Sequence, residues 1–155
     1  MAEPGRNWHA ELKNNRKARI DTRCVWRTSG EVLKFNETPQ GELSTLDAFS
    51  DKDRHSHLRT NGTLYDVETV SLEDLLEHNN APPIIDYLSI DTEGSEFEIL
   101  RNHNFDRFTF RTITCEHNRT PLRKDIYDLL TSKGYSRKFE RLSKFDDWYI
   151  LGAGR

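Results

Sequence analysis

The sequence predicts an α/β fold in which strands and helices alternate, and three observations support that prediction. Residues Ile84–Ile90 form a mostly apolar run of strand length, which is typical of a strand covered on both faces of a sheet. Thr120 and Pro121 then begin a helix with one apolar face, and the segments 136–142 and 147–151 form a hairpin. The order strand, helix, strand, helix, hairpin indicates a Rossmann-like three-layer α/β sandwich with an antiparallel hairpin at its edge.

Length and composition exclude several classes of protein. The 155 residues fit one domain, so 1–155 is treated as a single unit, and its net charge of −3 gives no electrostatic reason to expect nucleic acid. No apolar stretch approaches the roughly 20 residues that span a bilayer, and the first residues lack the apolar core of a signal peptide. We therefore expect a cytoplasmic protein that binds neither nucleic acid nor membrane. Cys24 and Cys115 are expected to be buried thiols.

The chain begins with a predicted helix and two predicted strands. Residues 6–16 form a short amphipathic helix whose narrow apolar stripe contains Trp8 and Leu12. Strands are predicted at 20–25 and at 31–35, with a turn between them.

The next segment, 36–66, is polar and rich in turn-forming residues, which predicts a loop or flap. Its His55 and His57 could ligate a metal ion. No acid or thiol stands at a supporting spacing, so a solvated loop is the preferred interpretation.

The second half shows a more regular alternation of elements. Residues 67–70 alternate as a strand, and Ser71 caps the helix that follows, with Asp74 at the third helical position. The later elements are the strand Ile84–Ile90, a helix at 95–100, a strand at 111–116, a helix with Leu122, Ile126, Leu129 and Leu130 on one face, and the closing hairpin.

Two predicted strand ends are conspicuously polar. The first carries Asp91, Glu93 and Glu96, and the second carries Glu116, His117 and Asn118. Open α/β sheets bind ligands at the carboxyl ends of their strands, so we expect these side chains on one rim. Asp91 has little structural reason to close a buried strand, whereas Glu96 is also typical of a helix's first turn. His117 suits general base catalysis near pH 7 and equally suits capping of a loop.

The sequence at this rim resembles a known family. Residues 85–100, with Asp91-Thr92-Glu93-Gly94 at their centre, closely resemble the signature block of FkbM-type methyltransferases. Four flanking segments are also similar to that family: 2–4 with the helix after it, 70–76, 114–118 and 145–151. The resemblance thus covers nearly the whole chain.

The resemblance implies a Rossmann-like methyltransferase that uses S-adenosylmethionine and methylates a hydroxyl oxygen of a sugar, glycan or natural product. It implies that Glu3 and Asp91 bind the cofactor, with Glu3 at its ribose. Asp91 and Glu93 would line the junction between the cofactor methyl group and the acceptor, and His117 or Asp91 could accept the hydroxyl proton. The acceptor would contact Glu96, Glu116 and Asn118.

One feature of the family is missing. No glycine-rich turn follows an N-terminal strand, although such a turn lets the backbone approach the cofactor. By alignment the first strand, its turn and most of the second strand are absent, which predicts an N-terminally truncated family domain. The strands left beside the gap would be open edges through which the chain could associate with itself.

Two alternatives to the methyltransferase stay open. The missing turn also fits a non-catalytic remnant that acts as a binding or dimerisation module. The carboxylates at the rim also fit a metal-dependent hydrolase, with Asp91, Glu93, Glu116 and His117 as ligands.

Overall fold

Two four-stranded sheets organise the chain in the computed structural model, which describes residues 1–152. The first sheet has the order β1–β4–β2–β3, with β1 parallel to β4 and the other pairs antiparallel. Its strands are β1 (Cys24–Trp26), β2 (Val32–Glu37), β3 (Thr45–Leu46) and β4 (Thr63–Ser71).

The second sheet has the order β5–β6–β8–β7, with β5 parallel to β6 and the other pairs antiparallel. Its strands are β5 (Ile84–Ile90), β6 (Thr109–Glu116), β7 (Tyr135–Lys138) and β8 (Asp146–Leu151). The helices are α1 (Arg6–Asn15), α2 (Ser56–Arg59), α3 (Leu72–His78), α4 (Glu96–Arg101) and α5 (Leu122–Ser132). Within residues 1–152, no helix is both long and apolar enough to cross a membrane.

Each sheet has an apolar core of its own. The first core is built from Cys24, Trp26, Phe35, Leu46 and Val67. The second is larger, and its buried residues are Leu72, Ile90, Ile99, Leu100, Phe105, Phe110, Ile113, Cys115, Ile126, Leu130, Tyr135 and Tyr149. Each large apolar side chain buried in this way contributes roughly 1.5–3 kcal/mol. Val25 of β1 packs against the second core and so connects the two halves.

Several sequence predictions are confirmed. The helices at 6–16, 95–100 and after Ser71 are present. The closing segments pair as an antiparallel hairpin, although its first strand ends at Lys138 and not at 142. The Ser71 hydroxyl accepts the backbone N–H of Asp74 at 3.0 Å, which is the predicted cap of α3. Cys24 and Cys115 are both buried and free.

Two caps differ from the prediction. The Asp74 carboxylate does not complete a reciprocal cap with Ser71, because it accepts the hydroxyl of Ser29, which itself accepts the Ser71 N–H at 2.8 Å. Thr120 does not cap α5 with its side chain, because Pro121 holds the capping position without any side-chain hydrogen bond.

The segment 36–66 contains more regular structure than the predicted loop or flap. β2 extends to Glu37, β4 begins at Thr63, and β3, the 3₁₀ turn Asp47–Phe49 and α2 lie between them. Internal hydrogen bonds hold part of this polar segment. Asn36 is buried, and its amide donates to the Ser50 hydroxyl at 3.0 Å and to the Arg59 carbonyl at 3.1 Å.

The expectation that β5 is covered on both faces is also wrong. Among residues 1–152, β5 is an edge strand, and the side chains of Ile84 and Tyr87 are 56% and 55% exposed. The strand register places Tyr87 beside Thr112 and Ile150 on one uncovered face. An apolar run specifies which side chains can be buried, but not which neighbours cover them. The strands of the chain also form two mixed sheets, whereas a single sheet was expected.

Candidate active site

The turn after β5 has a backbone that its sequence dictates. Glu93 adopts a left-handed φ of 56°, which is uncommon for a residue other than glycine. Gly94 has a φ of 123°, a value that glycine adopts readily and other residues rarely adopt. A Cβ at Gly94 would lie 3.1 Å from Cδ1 of Phe49. The Thr45 hydroxyl donates to the Glu93 carbonyl at 2.9 Å and fixes the turn to β3. Glycine at 94 therefore lets the turn aim the Glu93 side chain back into the molecule.

The Glu96 carboxylate accepts hydrogen bonds from other residues of this turn. Its Oε1 accepts the Thr92 N–H at 2.7 Å and the Thr92 hydroxyl at 2.9 Å, and both of its oxygens accept the Gly94 N–H. The side chain is buried, and burial raises the pKa of its carboxyl while these hydrogen bonds oppose the rise. Both carboxylate oxygens of Glu96 are thus bonded to the loop, so this side chain holds the turn in position.

Three carboxyl groups meet at the carboxyl ends of β5 and β6. Asp91, Glu93 and Glu116 each place one oxygen within 4.8 Å of the others. Burial, followed by the charge of Asp91, raises the pKa of Glu116 far above its usual value, and partial burial raises the pKa of Asp91. A proton on Glu116 that is donated to Asp91 therefore stabilises the pair.

Glu93 is held by two donors. Its Oε2 accepts Nη2 of Arg59 at 2.8 Å and Nδ2 of Asn118 at 3.1 Å, and neither bond uses Oε1. Burial raises the pKa of Glu93 to about 7, the Arg59 charge opposes this rise, and the charge of Asp91 adds to it. A carboxylate oriented by two donors and titrating near neutral pH is suited to accept a proton.

His117 is less well placed for that role. Its Nδ1 accepts the backbone N–H of Arg119 at 2.9 Å, and its Nε2 lies 3.8 Å from Oδ1 of Asp147. Burial and the nearby Arg123 lower the pKa of His117. The nitrogen that could take a proton is therefore already bonded to the backbone.

Two pockets adjoin this group of carboxyls. The first has a volume of about 110 Å³ and lies between the N-terminal residues, the first sheet and the turn after β5. Its walls include Glu3, Trp8, Phe35, Leu46, Asp91 and Glu93. The second has a volume of about 360 Å³, and its walls include Phe49, Asp53, Glu93, Glu96, Glu116, His117, Asn118 and Leu122. Glu93 is a wall residue of both pockets.

The structure therefore groups the residues predicted from the sequence. Glu3 and Asp91 line the first pocket, and Glu96, Glu116, His117 and Asn118 line the second. Glu3 is partly buried, its Oε1 accepts the Gly5 N–H at 2.7 Å, and burial raises its pKa.

Sequence reasoning missed Arg59, which is only 2% exposed. Its guanidinium donates to both carboxylate oxygens of Asp53, at 2.8 and 3.1 Å, and to Glu93, while Nε donates to the Leu43 carbonyl at 2.7 Å. A single arginine in a polar segment has no periodicity, so nothing in the sequence marked it as buried.

The geometry does not favour a metal-dependent hydrolase. The described residues whose ligand atoms come together are Asp91, Glu93 and Glu116, and His117 does not join them. The Arg59 guanidinium already binds Glu93, so one of the three carboxylates has a cation of its own.

Comparison with known families agrees with the resemblance seen in the sequence. The sequence model of a family described as Methyltransferase FkbM domain matches residues 2–137. This range contains every residue predicted for the two pockets. Comparison with curated proteins and with solved structures gives no match.

Proposed function

Because the chain belongs to the FkbM methyltransferase family, we propose that it transfers a methyl group from S-adenosylmethionine to a hydroxyl oxygen of a sugar or another small-molecule acceptor. The observation that supports this most directly is the position of Glu93 in the walls of both pockets. A group transfer between two ligands needs their reacting atoms side by side, and a carboxylate common to both pockets meets that need. A Rossmann-like arrangement of the domain is part of the same proposal.

The first pocket suits the cofactor. Trp8, Phe35 and Leu46 offer an apolar surface for an adenine ring, and Glu3 offers a carboxylate for ribose hydroxyls. Asp91 and Glu93 would face the positively charged sulfonium, whose electrophilic methyl group is the chemistry that the cofactor supplies when bound. The volume of about 110 Å³ is below the range typical of small-molecule sites, so the pocket would hold part of the cofactor.

The second pocket suits the acceptor. Its size is typical of a small-molecule site. Glu93 would take the hydroxyl proton through Oε1, while Arg59 and Asn118 hold Oε2. Asp91 would contribute negative charge beside the sulfonium. His117 would shape the wall of the pocket.

Calorimetric titration with S-adenosylhomocysteine tests the cofactor assignment. Wild type should bind, and Glu3→Gln should bind about tenfold more weakly because a charged partner of the ribose is lost. The amide oxygen of the substituted side chain can still accept the Gly5 N–H, so the fold should survive. Glu11→Gln, an exposed position on α1, is the matched control and should bind as wild type does. A folded wild-type chain that binds no S-adenosylhomocysteine would contradict the assignment.

Mass spectrometry of acceptors tests the reaction. Incubation with S-adenosylmethionine and a panel of sugars should yield a product heavier by one methylene unit, with the methyl group on oxygen. Cofactor binding without any methylated product would favour the alternative of a non-catalytic binding module.

A further inference from the structure

Two arginines lie against one aromatic ring beside the acceptor pocket. The guanidinium carbon of Arg54 lies 4.8 Å from the centre of the Phe145 ring, and that of Arg119 lies 5.9 Å from the same centre. The two cations are therefore separated by no more than the sum of these distances. Both arginines are exposed, and Phe145 is 39% exposed.

The residues next to Arg54 and Arg119 in the sequence connect this cluster to the pocket. Asp53 and Asn118 line the pocket, and Arg54 and Arg119 are the next residues in the chain. The Phe145 carbonyl accepts the N–H of His117, another wall residue, at 2.8 Å. The cluster therefore lies at the rim of the pocket.

The backbone holds Arg119 in an uncommon conformation. Asn118 and Arg119 have φ values of 41° and 58°, both in the left-handed region. Two successive non-glycine residues in this region are strained and need support from their surroundings. The support is visible: the Arg119 N–H donates to His117 and the Asn118 amide donates to Glu93.

Neither guanidinium is neutralised by the described part of the chain. Within residues 1–152, no carboxylate lies within 4.0 Å of Arg54 or Arg119, whereas the neighbouring Lys52 pairs with Asp51. Arg54 donates through Nε to His55 at 3.0 Å, which leaves its two terminal nitrogens for another acceptor. An anion at the rim of the pocket could therefore accept charge-assisted hydrogen bonds from guanidinium nitrogens that no carboxylate of residues 1–152 occupies.

We propose that Arg54 and Arg119, both packed against Phe145, form a binding site for an anionic group of the acceptor, either a phosphate or a carboxylate. The planar guanidinium fork matches both groups, and the aromatic ring orients the two forks. The carboxyls deeper in the pocket repel an anion, so the charged end of the acceptor stays at the rim while its hydroxyl end points towards Glu93. This inference rests on the proposed function, and it names an acidic or phosphorylated sugar as the acceptor class.

Calorimetric titration of the full chain at low salt tests the site with four probes: glucose 6-phosphate, glucuronate, glucose and inorganic phosphate. At least one anionic sugar should bind about tenfold more tightly than glucose, and the better of the two identifies phosphate or carboxylate. Arg54→Gln and Arg119→Gln should each remove most of this preference. The control Arg16→Gln, also an exposed arginine, should keep it.

Three outcomes would overturn the inference: equal binding of glucose and both anionic sugars, inorganic phosphate binding as tightly as glucose 6-phosphate (an adventitious ion only), or an equal loss in Arg16→Gln. The titrations need no cofactor, so their result is measured separately from methyl transfer. If wild type shows no anion preference but methylates a neutral sugar, this inference fails and the methyltransferase proposal stands, whereas anion preference without any methyl transfer would do the reverse.

Discussion

Arg59 donates a hydrogen bond of 2.8 Å to Oε2 of Glu93, and the two residues are 2% and 7% exposed. The same guanidinium binds Asp53, so one buried cation serves two carboxylates from different parts of the chain. This contact fixes the segment between β2 and β4 against the turn that follows β5.

Replacement of Arg59 by methionine should destabilise the protein strongly. Asp53 and Glu93 would remain buried without a cation, and breaking a buried pair in this way costs about 3–5 kcal/mol. Urea unfolding followed by circular dichroism measures the loss. Arg27→Met is the control, because Arg27 is exposed and lies 3.9 Å from Glu31, and it should change stability by less than about 0.5 kcal/mol. Equal losses in both variants would show that Arg59 has no special part in the fold.

The raised pKa of Glu93 predicts a pH dependence of stability. The folded protein holds the Glu93 proton up to about pH 7, whereas the unfolded chain releases it near the ordinary value of 4.5. Stability from this group is therefore complete below pH 4.5 and decreases as the pH rises to about 7. The lowered pKa of Asp147 acts in the opposite direction, but only below its ordinary value of 3.8. The lowered pKa values of His55, His103 and His117 also act in the opposite direction, but they are common to wild type and Glu93→Gln. The free energy of unfolding of wild type, relative to that of Glu93→Gln, should therefore fall between about pH 5 and about pH 8.

The choice of base can be tested in the methyltransferase assay. Glu93→Gln should lower kcat by roughly 10²–10⁴ with a smaller effect on KM, since a general base acts in the transition state. The wild-type rate should rise with pH through about 7, where Glu93 loses its proton. His117→Gln should lower the rate by less than about tenfold, because only a wall contact is removed. A larger loss in His117→Gln than in Glu93→Gln would reverse the assignment.

Gly94→Ala should disturb the turn that carries Glu93. Alanine at position 94 would need a φ near 123°, and its methyl group would lie 3.1 Å from Cδ1 of Phe49. We therefore expect the free energy of unfolding to fall by about 1–3 kcal/mol. Gly30→Ala is a matched control, because Gly30 also has a positive φ, of 81°, but meets no atom within 4 Å. Thermal unfolding should rank Gly94→Ala as the less stable variant, and the opposite ranking would show that the Phe49 contact is unimportant.

The open edge of β5 predicts self-association with a second copy of the chain. Among residues 1–152, β5 pairs only with β6, and Tyr87 and Trp148 lie exposed on the adjoining face. Unpaired edges of this kind promote strand pairing between molecules. Sedimentation velocity should show concentration-dependent association that Tyr87→Lys reduces. Leu142→Lys, which changes another exposed apolar residue, should leave it unchanged. A monomer at all concentrations would contradict the prediction.

The sequence predicted the elements whose signals are local. Ser71 begins α3 and Ile84–Ile90 forms β5 because capping and strand-length apolar runs depend on nearby residues. The polar strand ends identified Asp91 and Glu116, since parallel strands end at one rim. The roles of Arg59 and Thr45 could not be predicted, because their partner Glu93 lies 34 and 48 residues away in the sequence. The exposure of β5 could not be predicted for the same reason. Which elements pack on a strand depends on distant residues, and a run of apolar residues does not specify them.

Because one carboxylate belongs to both cavities, their occupants should not bind independently. A cation beside Glu93 would favour its ionised form, and that form is the better acceptor for a hydroxyl donor on the other side. By thermodynamic reciprocity, the acceptor would then strengthen the hold on the cation by the same factor. A neutral thioether at the same place would lack this linkage, so S-adenosylhomocysteine should not share the mutual strengthening expected between S-adenosylmethionine and the acceptor.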